Sequence, residues 1–125
     1  MRNIPLDELA TCWPRVLPWI EEAVARSDGD ENALDILIAI ARGNYALFAG
    51  EKCAAVAQLV RWPRQSVFTV LYASGEDLES CREAFEWSKN WCRANGVQVF
   101  RIHARAGWER ALGFKRRGVI LEERL

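Results

Sequence analysis

The sequence predicts one α+β domain spanning residues 1–125, a mixed but mostly antiparallel central sheet flanked by helices. Three observations point there. Apolar residues recur at helical spacing in the first third of the chain. Short apolar runs bounded by turn residues follow, at strand length. A long helical segment then separates two such runs, 66–73 and 97–103, as in a β–α–β step.

Taken in order, Leu9, Trp13, Val16, Leu17, Ile20 and Val24 recur at intervals of three and four, the mark of one buried helix face. Pro14 and Pro18 each lack an N–H and clash with the preceding turn, so two short helical pieces are expected, the second starting near Pro18. "SDGD" (27–30) reads as a loop. A second helix carries Leu34, Leu37, Ile38 and Ala41 on one stripe, and "RGN" (42–44) stops it with a glycine. "NYALFAGEKCAAVAQLVRW" reads as two strands joined at a turn containing Gly50, the second broken at Pro63. "SVFTVLYA" (66–73) is apolar nearly throughout, which fits an interior strand. After Ser74-Gly75 a helix runs to about Asn95-Gly96. "VQVFRIH" (97–103) is a strand, "GWERAL" (107–112) one or two helical turns, and "FKRRGVILEERL" (114–125) a last strand.

Composition narrows the function classes. The chain has 125 residues with 17 basic and 17 acidic side chains, so it lacks the basic excess that marks nucleic-acid and membrane-surface binders. No apolar run approaches a membrane span, and "MRNIPLDELA" lacks the apolar core of a signal peptide, which leads us to expect a cytosolic protein. The four cysteines, Cys12, Cys53, Cys81 and Cys92, contain no C-x-x-C pair. Cys81 and Cys92 would stand roughly 16 Å apart along one helix, too far to bridge. They read as small buried residues in a reducing compartment, a reactive thiol being the alternative. With His103 as the only histidine, metal ligands are scarce, and no metal site is expected.

A buried strand, a long helix ending in "ANG", a strand, then "RAGWERALGF" and a final strand resembles the second half of the GNAT (Gcn5-related N-acetyltransferase) fold. Trp91, Gly96-Val97 and the Leu112-Gly113-Phe114 step carry the resemblance, which covers roughly Tyr45 to Leu125 and more loosely the two N-terminal helices. The "LDEL…WPRVLPWIEEA" lead and the segment Arg105, Gly107, Trp108, Arg110, Leu112 are also similar to small bacteriophage and prophage proteins that look like reduced GNAT domains, met among virion and assembly proteins. This likeness implies a phage-encoded protein in the host cytoplasm or associated with the virion, with virion or assembly proteins, or a second copy, as partners.

GNAT enzymes hold the pyrophosphate of acetyl-CoA on a basic or amide residue followed by spaced glycines at the start of the third helix. By the resemblance, counting back from Trp91 and Gly96 puts that loop at Glu76-Asp77-Leu78-Glu79-Ser80-Cys81. Glu76 stands where the basic or amide residue belongs, and Glu79 and Cys81 where small residues belong. Three carboxylates, Glu76, Asp77 and Glu79, fall within four residues. Each would repel a phosphate at about 4–6 Å by roughly 1–4 kcal/mol. Acids in a first helical turn are favourable in their own right, and Ser74…Asp77 or Ser80…Glu83 can close a capping box. The expectation is a helix cap, a degenerate cofactor loop and no cofactor. The resemblance likewise implies a tyrosine general acid in the short helix before Gly113-Phe114, but Glu109 occupies that position, a poor proton donor unless burial raises its pKa. No catalytic residue is assigned.

Other residues carry two readings each. His103 is a lone base candidate at a strand end. Of six tryptophans, Trp13 and Trp91 fall on apolar stripes, whereas Trp62 and Trp87 are either an edge cap and a wide core stripe, or part of an interface. Arg105, Arg110, Lys115 and Arg117, with Arg61, Arg64 and Arg116, form either a basic surface for phosphate or nucleic acid or the charged protection of an edge strand. The two leading functions are a non-catalytic phage protein acting by protein contacts and an acetyl-CoA-dependent N-acyltransferase with a divergent loop. A nucleic-acid-contacting module is the weakest of the three.

Overall fold

The computed structural model describes residues 1–104 and 107–125. Its elements are β1 (Arg2–Asn3), a 3-10 turn (Leu6–Glu8), α1 (Leu9–Ala25), α2 (Ala33–Ala41), β2 (Ala46–Ala49), β3 (Cys53–Arg61), β4 (Ser66–Gly75), α3 (Leu78–Ala94), β5 (Val99–Ile102) and α4 (Gly107–Leu112). The strands form one five-stranded sheet in the order β1-β2-β3-β4-β5. Neighbours are antiparallel except β4 and β5, which run parallel across the α3 crossover. The α+β architecture, the interior place of β4 and the β–α–β step are as expected.

Two apolar layers enclose the sheet. On one side Val16 and Ile20 of α1 and Ile36 and Ile40 of α2 pack on Leu47, Ala54 and Val56. On the other, Phe85 and Cys92 of α3 meet Phe48, Ala55, Ala57, Phe68 and Val70. The second layer is aromatic. Phe68 sits among Phe48, Trp91 and Phe100 with ring centroids 5.3, 5.8 and 5.4 Å away, separations at which aromatic pairs add to simple burial.

Four local expectations are corrected. First, α1 is one helix through both prolines. Pro14, Pro18 and Ala10 are exposed, so the carbonyls of Ala10 and Pro14, which lose their N–H partners, lie on the solvent side. The apolar face on β3 and β4 offsets the roughly 3 kcal/mol that an interior proline costs. Second, α2 buries Ile36 and Ile40 while Leu34 and Ile38 stay exposed. "ALDILIAIA" is apolar around most of its circumference, so periodicity cannot choose its face. The capping box between Asn32 and Asp35, both bonds 2.9 Å, fixes where the helix begins. Third, 114–125 forms no strand; past Phe114 every residue is exposed. Fourth, the two-residue β1 was not anticipated, because Arg2 and Asn3 carry no apolar alternation.

The β3–β4 ladder holds an irregularity. Val56 faces Tyr72 while Ala57 faces Val70, leaving Leu71 as an extra residue in β4. Phe68 and Val70 therefore point into the α3 layer, whereas Tyr72 packs in the α1–α2 layer. The parallel pairing with β5 stops in the same place: Val70↔Ile102 is the last register pair, and the His103 N–H donates to the Val70 carbonyl at 3.0 Å. Beyond it β5 ends, and β4 continues to Gly75 paired with β3.

Phe68→Ala should lose about 3–5 kcal/mol of unfolding free energy, as for large aromatic truncations in cores. Trp62→Ala, at a residue 57% exposed, should stay within about 0.5 kcal/mol of the parent. Urea unfolding of both variants tests whether the aromatic layer is the main core.

Candidate functional site

A cleft of about 160 Å³ lies between the ends of β4 and α1, the start of α3, and α4. Glu22, Arg26, Ala73, Ser74, Gly75, Asp77, Leu78, Cys81 and Trp108 line it. Among the described residues Arg26 is the single cation there, and it is paired with Glu22 at 3.5 Å.

The start of α3 is built residue by residue for backbone closure. A Cβ on Gly75 would lie 2.6 Å from the Lys52 carbonyl oxygen and 2.8 Å from Cys53 Cβ, so only glycine fits where β3 and β4 meet. The Glu76 N–H then donates to that Lys52 carbonyl at 2.8 Å. Asp77 is the N-cap: its Oδ1 accepts from the Ser80 N–H at 2.7 Å, and its backbone carbonyl accepts from the Cys81 N–H at 3.3 Å. That bond from Ser80 holds the Asp77 carboxyl below the usual range, so it stays ionised. The cap is thus Asp77 alone, not either of the two capping boxes expected from Ser74 or Ser80. Glu76 is exposed, and Glu79 lies 3.5 Å from Arg82. Cys81 is buried under the helix, as expected for a small apolar residue.

A second constellation was not read from the sequence. Glu31, in the loop between α1 and α2, accepts on Oε1 from both the Tyr45 hydroxyl (2.9 Å) and the Tyr72 hydroxyl (2.8 Å). These are the only two tyrosines in the chain. An open cavity of about 510 Å³ adjoins them, lined by Glu31, Ala39, Gly43, Asn44, Tyr45, Gln58 and Leu59. Burial, and then the Glu31 carboxylate, push the Tyr45 hydroxyl up to about 12 and raise Tyr72 as well. Both are neutral hydrogen-bond donors across the physiological range, and together they tie the loop to the sheet. The signal in the sequence was faint: a half-buried tyrosine needs a partner for its hydroxyl, but nothing local names it.

The remaining candidates scatter. Trp62 is exposed beyond the end of β3, whereas Trp87 is half-buried with its ring edge-on to Phe48 at 6.1 Å. Arg110, Lys115 and Arg117 are exposed, and Arg105 lies outside the described residues. Glu109 forms an ion pair with Arg116. His103 is exposed at the end of β5. Cys53, Cys81 and Cys92 are buried, and burial raises all three thiols, Cys92 to about 11, so none is a ready thiolate. Among the described residues no group of three or more His, Cys, Asp or Glu could hold a metal ion, and no helix is long and apolar enough to cross a membrane.

No family model matches the chain, and no curated protein matches it in sequence. Solved structures do. An aminoglycoside acetyltransferase from an uncultured soil metagenomic sample, in complex with sisomicin, superposes with a TM-score of 0.71 at 8% identity, over 99% of this chain and 94% of its own. A possible acetyltransferase from Clostridium difficile 630 gives 0.65 at 12% identity, covering 99% and 95%. The BH1408 protein from Bacillus halodurans, solved as a tetramutant, gives 0.63 at 16% identity, covering 99% and 98%. The fold is GNAT-like. These proteins align over nearly their whole length, so this GNAT-like domain is not a shortened one beside them.

The tyrosine pair gives a direct optical test. In the folded protein, absorbance at the tyrosinate band should show almost no ionisation at pH 10, whereas the denatured chain ionises both tyrosines near there. A raised phenol pKa contributes stability that is complete below the unfolded value and is lost as pH climbs toward about 12. Glu31→Gln should bring the folded titration down toward pH 10 and lower stability by about 1–2 kcal/mol, a charged hydrogen bond discounted for partial exposure.

Proposed function

We propose that this is a non-catalytic GNAT-like protein that acts through contacts with other proteins. Its similarity to phage and prophage sequences suggests virion or assembly proteins as those partners. The observation that carries the reading is the start of α3. An acetyl-CoA pyrophosphate would need free N–H groups and a positive or neutral surround at that point. Here the Ser80 N–H is taken by Asp77, the Glu76 N–H by Lys52, and Asp77 keeps its charge. Glu76 and Glu79 add two further carboxylates on the same turn. The volume argues the same way. A cleft of about 160 Å³ lies below the roughly 300–1,000 Å³ of pockets that enclose drug-sized ligands. These features support a reading without a bound cofactor.

The alternative, an acetyl-CoA-dependent N-acyltransferase, draws support from the acetyltransferases among the structural neighbours and from the parallel β4–β5 pair across the α3 crossover. Among the described residues it would have Arg26, engaged with Glu22, to meet the phosphates.

Calorimetric titration with acetyl-CoA, and with coenzyme A as second ligand, separates the two. We expect no saturable heat at millimolar cofactor. Saturable binding in the micromolar range would overturn the proposal, and loss of that binding in Arg26→Gln would place the phosphates.

A further inference from the structure

We propose that α2 packs antiparallel against α2 of a second copy of this chain, through its outer stripe Leu34, Ile38 and Ala41. The inference names one protein partner, the protein itself, and stands whether or not the cleft takes a cofactor.

The sequence of α2, "ALDILIAIA", is apolar at every position but Asp35. A helix that is apolar all round is normally covered all round. Here one side is covered. Ile36 and Ile40 are buried in the core, with Ala33 and Leu37 packed beside them. At about 100° per residue, Leu34, Ile38 and Ala41 share an arc of about 60° on the opposite side. Leu34 is 63% and Ile38 41% exposed, and Ala41 is exposed as well.

Charge commits the stripe to an occupant. Asp35 and Arg42 stand one heptad apart, so they lie on the same flank of the stripe, the acid near its start and the base at its end. Both are exposed, and neither forms an ion pair among the described residues. In the capping box Asp35 accepts from the Asn32 N–H on Oδ2, which leaves Oδ1 for a guanidinium. When two identical helices pack antiparallel about a two-fold axis, like flanks lie side by side. With that axis near Ile38, Asp35 meets the partner's Arg42, and Arg42 meets the partner's Asp35. The same axis sets Leu34 over the partner's Ala41, large on small, and brings the two Ile38 side chains together.

The reverse orientation fails on charge. A parallel pair would place the two charged flanks on opposite sides and leave all four groups unmatched. One helix therefore carries both halves of a matched surface, which is the pattern a two-fold contact requires. Nine residues of helix make a small interface, below the roughly 1,200 Å² in total where standard ones begin, so the association is weak and reversible.

Sedimentation equilibrium on the full chain, from low micromolar to near-millimolar concentration, should pass from the monomer mass toward twice it. Ile38→Lys sets a charge on the axis and should leave a monomer throughout. Arg42→Glu and Asp35→Lys each place like charges together at both ends of the pair, and each should raise the dissociation constant by about tenfold or more. Mixed in equal amounts, these two variants should recover the parent's association, because every charged contact across the mixed pair again joins opposite signs. All three variants should keep the parent's far-ultraviolet dichroism. A monomer at every concentration would overturn the proposal and leave the stripe to a different protein. A dimer that survives Ile38→Lys would overturn it too, as would charge variants that fail to recover on mixing.

Discussion

At Leu71 the interior strand β4 carries one residue more than its partner β3, and at that point its two faces change places. Upstream, Phe68 and Val70 belong to the aromatic layer under α3; downstream, Tyr72 and the buried Ser74 turn toward α1 and α2. The parallel ladder to β5 ends beside the same residue. One inserted residue thus does three things. It keeps both apolar layers filled, it falls where the pairing with β5 stops, and it points the Tyr72 hydroxyl at Glu31. A regular β4 would have put Tyr72 among the phenylalanines, where its hydroxyl would have no carboxylate to meet.

The end of β4 then dictates the start of α3. The strand closes so tightly on Lys52 and Cys53 that residue 75 can carry no side chain, and the next N–H is drawn into the β3 turn. The helix therefore begins with one residue in extended conformation, Asp77, whose side chain closes the first turn. Gly75 is a packing glycine, required by the close approach of Lys52 and Cys53. A capping aspartate and a bound phosphate would compete for the same N–H groups, and the covalently attached one has the advantage of proximity.

The layers of the fold were legible because each has a local sign: 3.6 periodicity in α1, a near-continuous apolar run in β4, and the Asn95-Gly96 stop after α3, where Gly96 has a φ of +71°. What was not legible depended on partners distant in sequence. Whether a proline breaks a helix depends on which way its face points, and Pro14 and Pro18 point outward. The buried face of α2 could not be chosen from nine mostly apolar residues. The Glu31 pair with Tyr45 and Tyr72 spans 14 and 41 positions and turns on a bulge that no local pattern marks. The acidic character of the α3 start, in contrast, was plain in the residues; only the identity of the cap was misplaced, since Asp77 caps without help from Ser74.

Identities of 8–16% with the matched structures fit this division between frame and site. The frame asks only for apolar residues at positions that many side chains can fill, and volume-conserving exchange is tolerated there. A phosphate seat asks for particular N–H groups left free and particular charges left out. In this chain the frame is complete while those N–H groups serve the fold itself, at Lys52 and at Asp77. The same bonds that make the β4–α3 junction rigid are the ones a cofactor would have to displace.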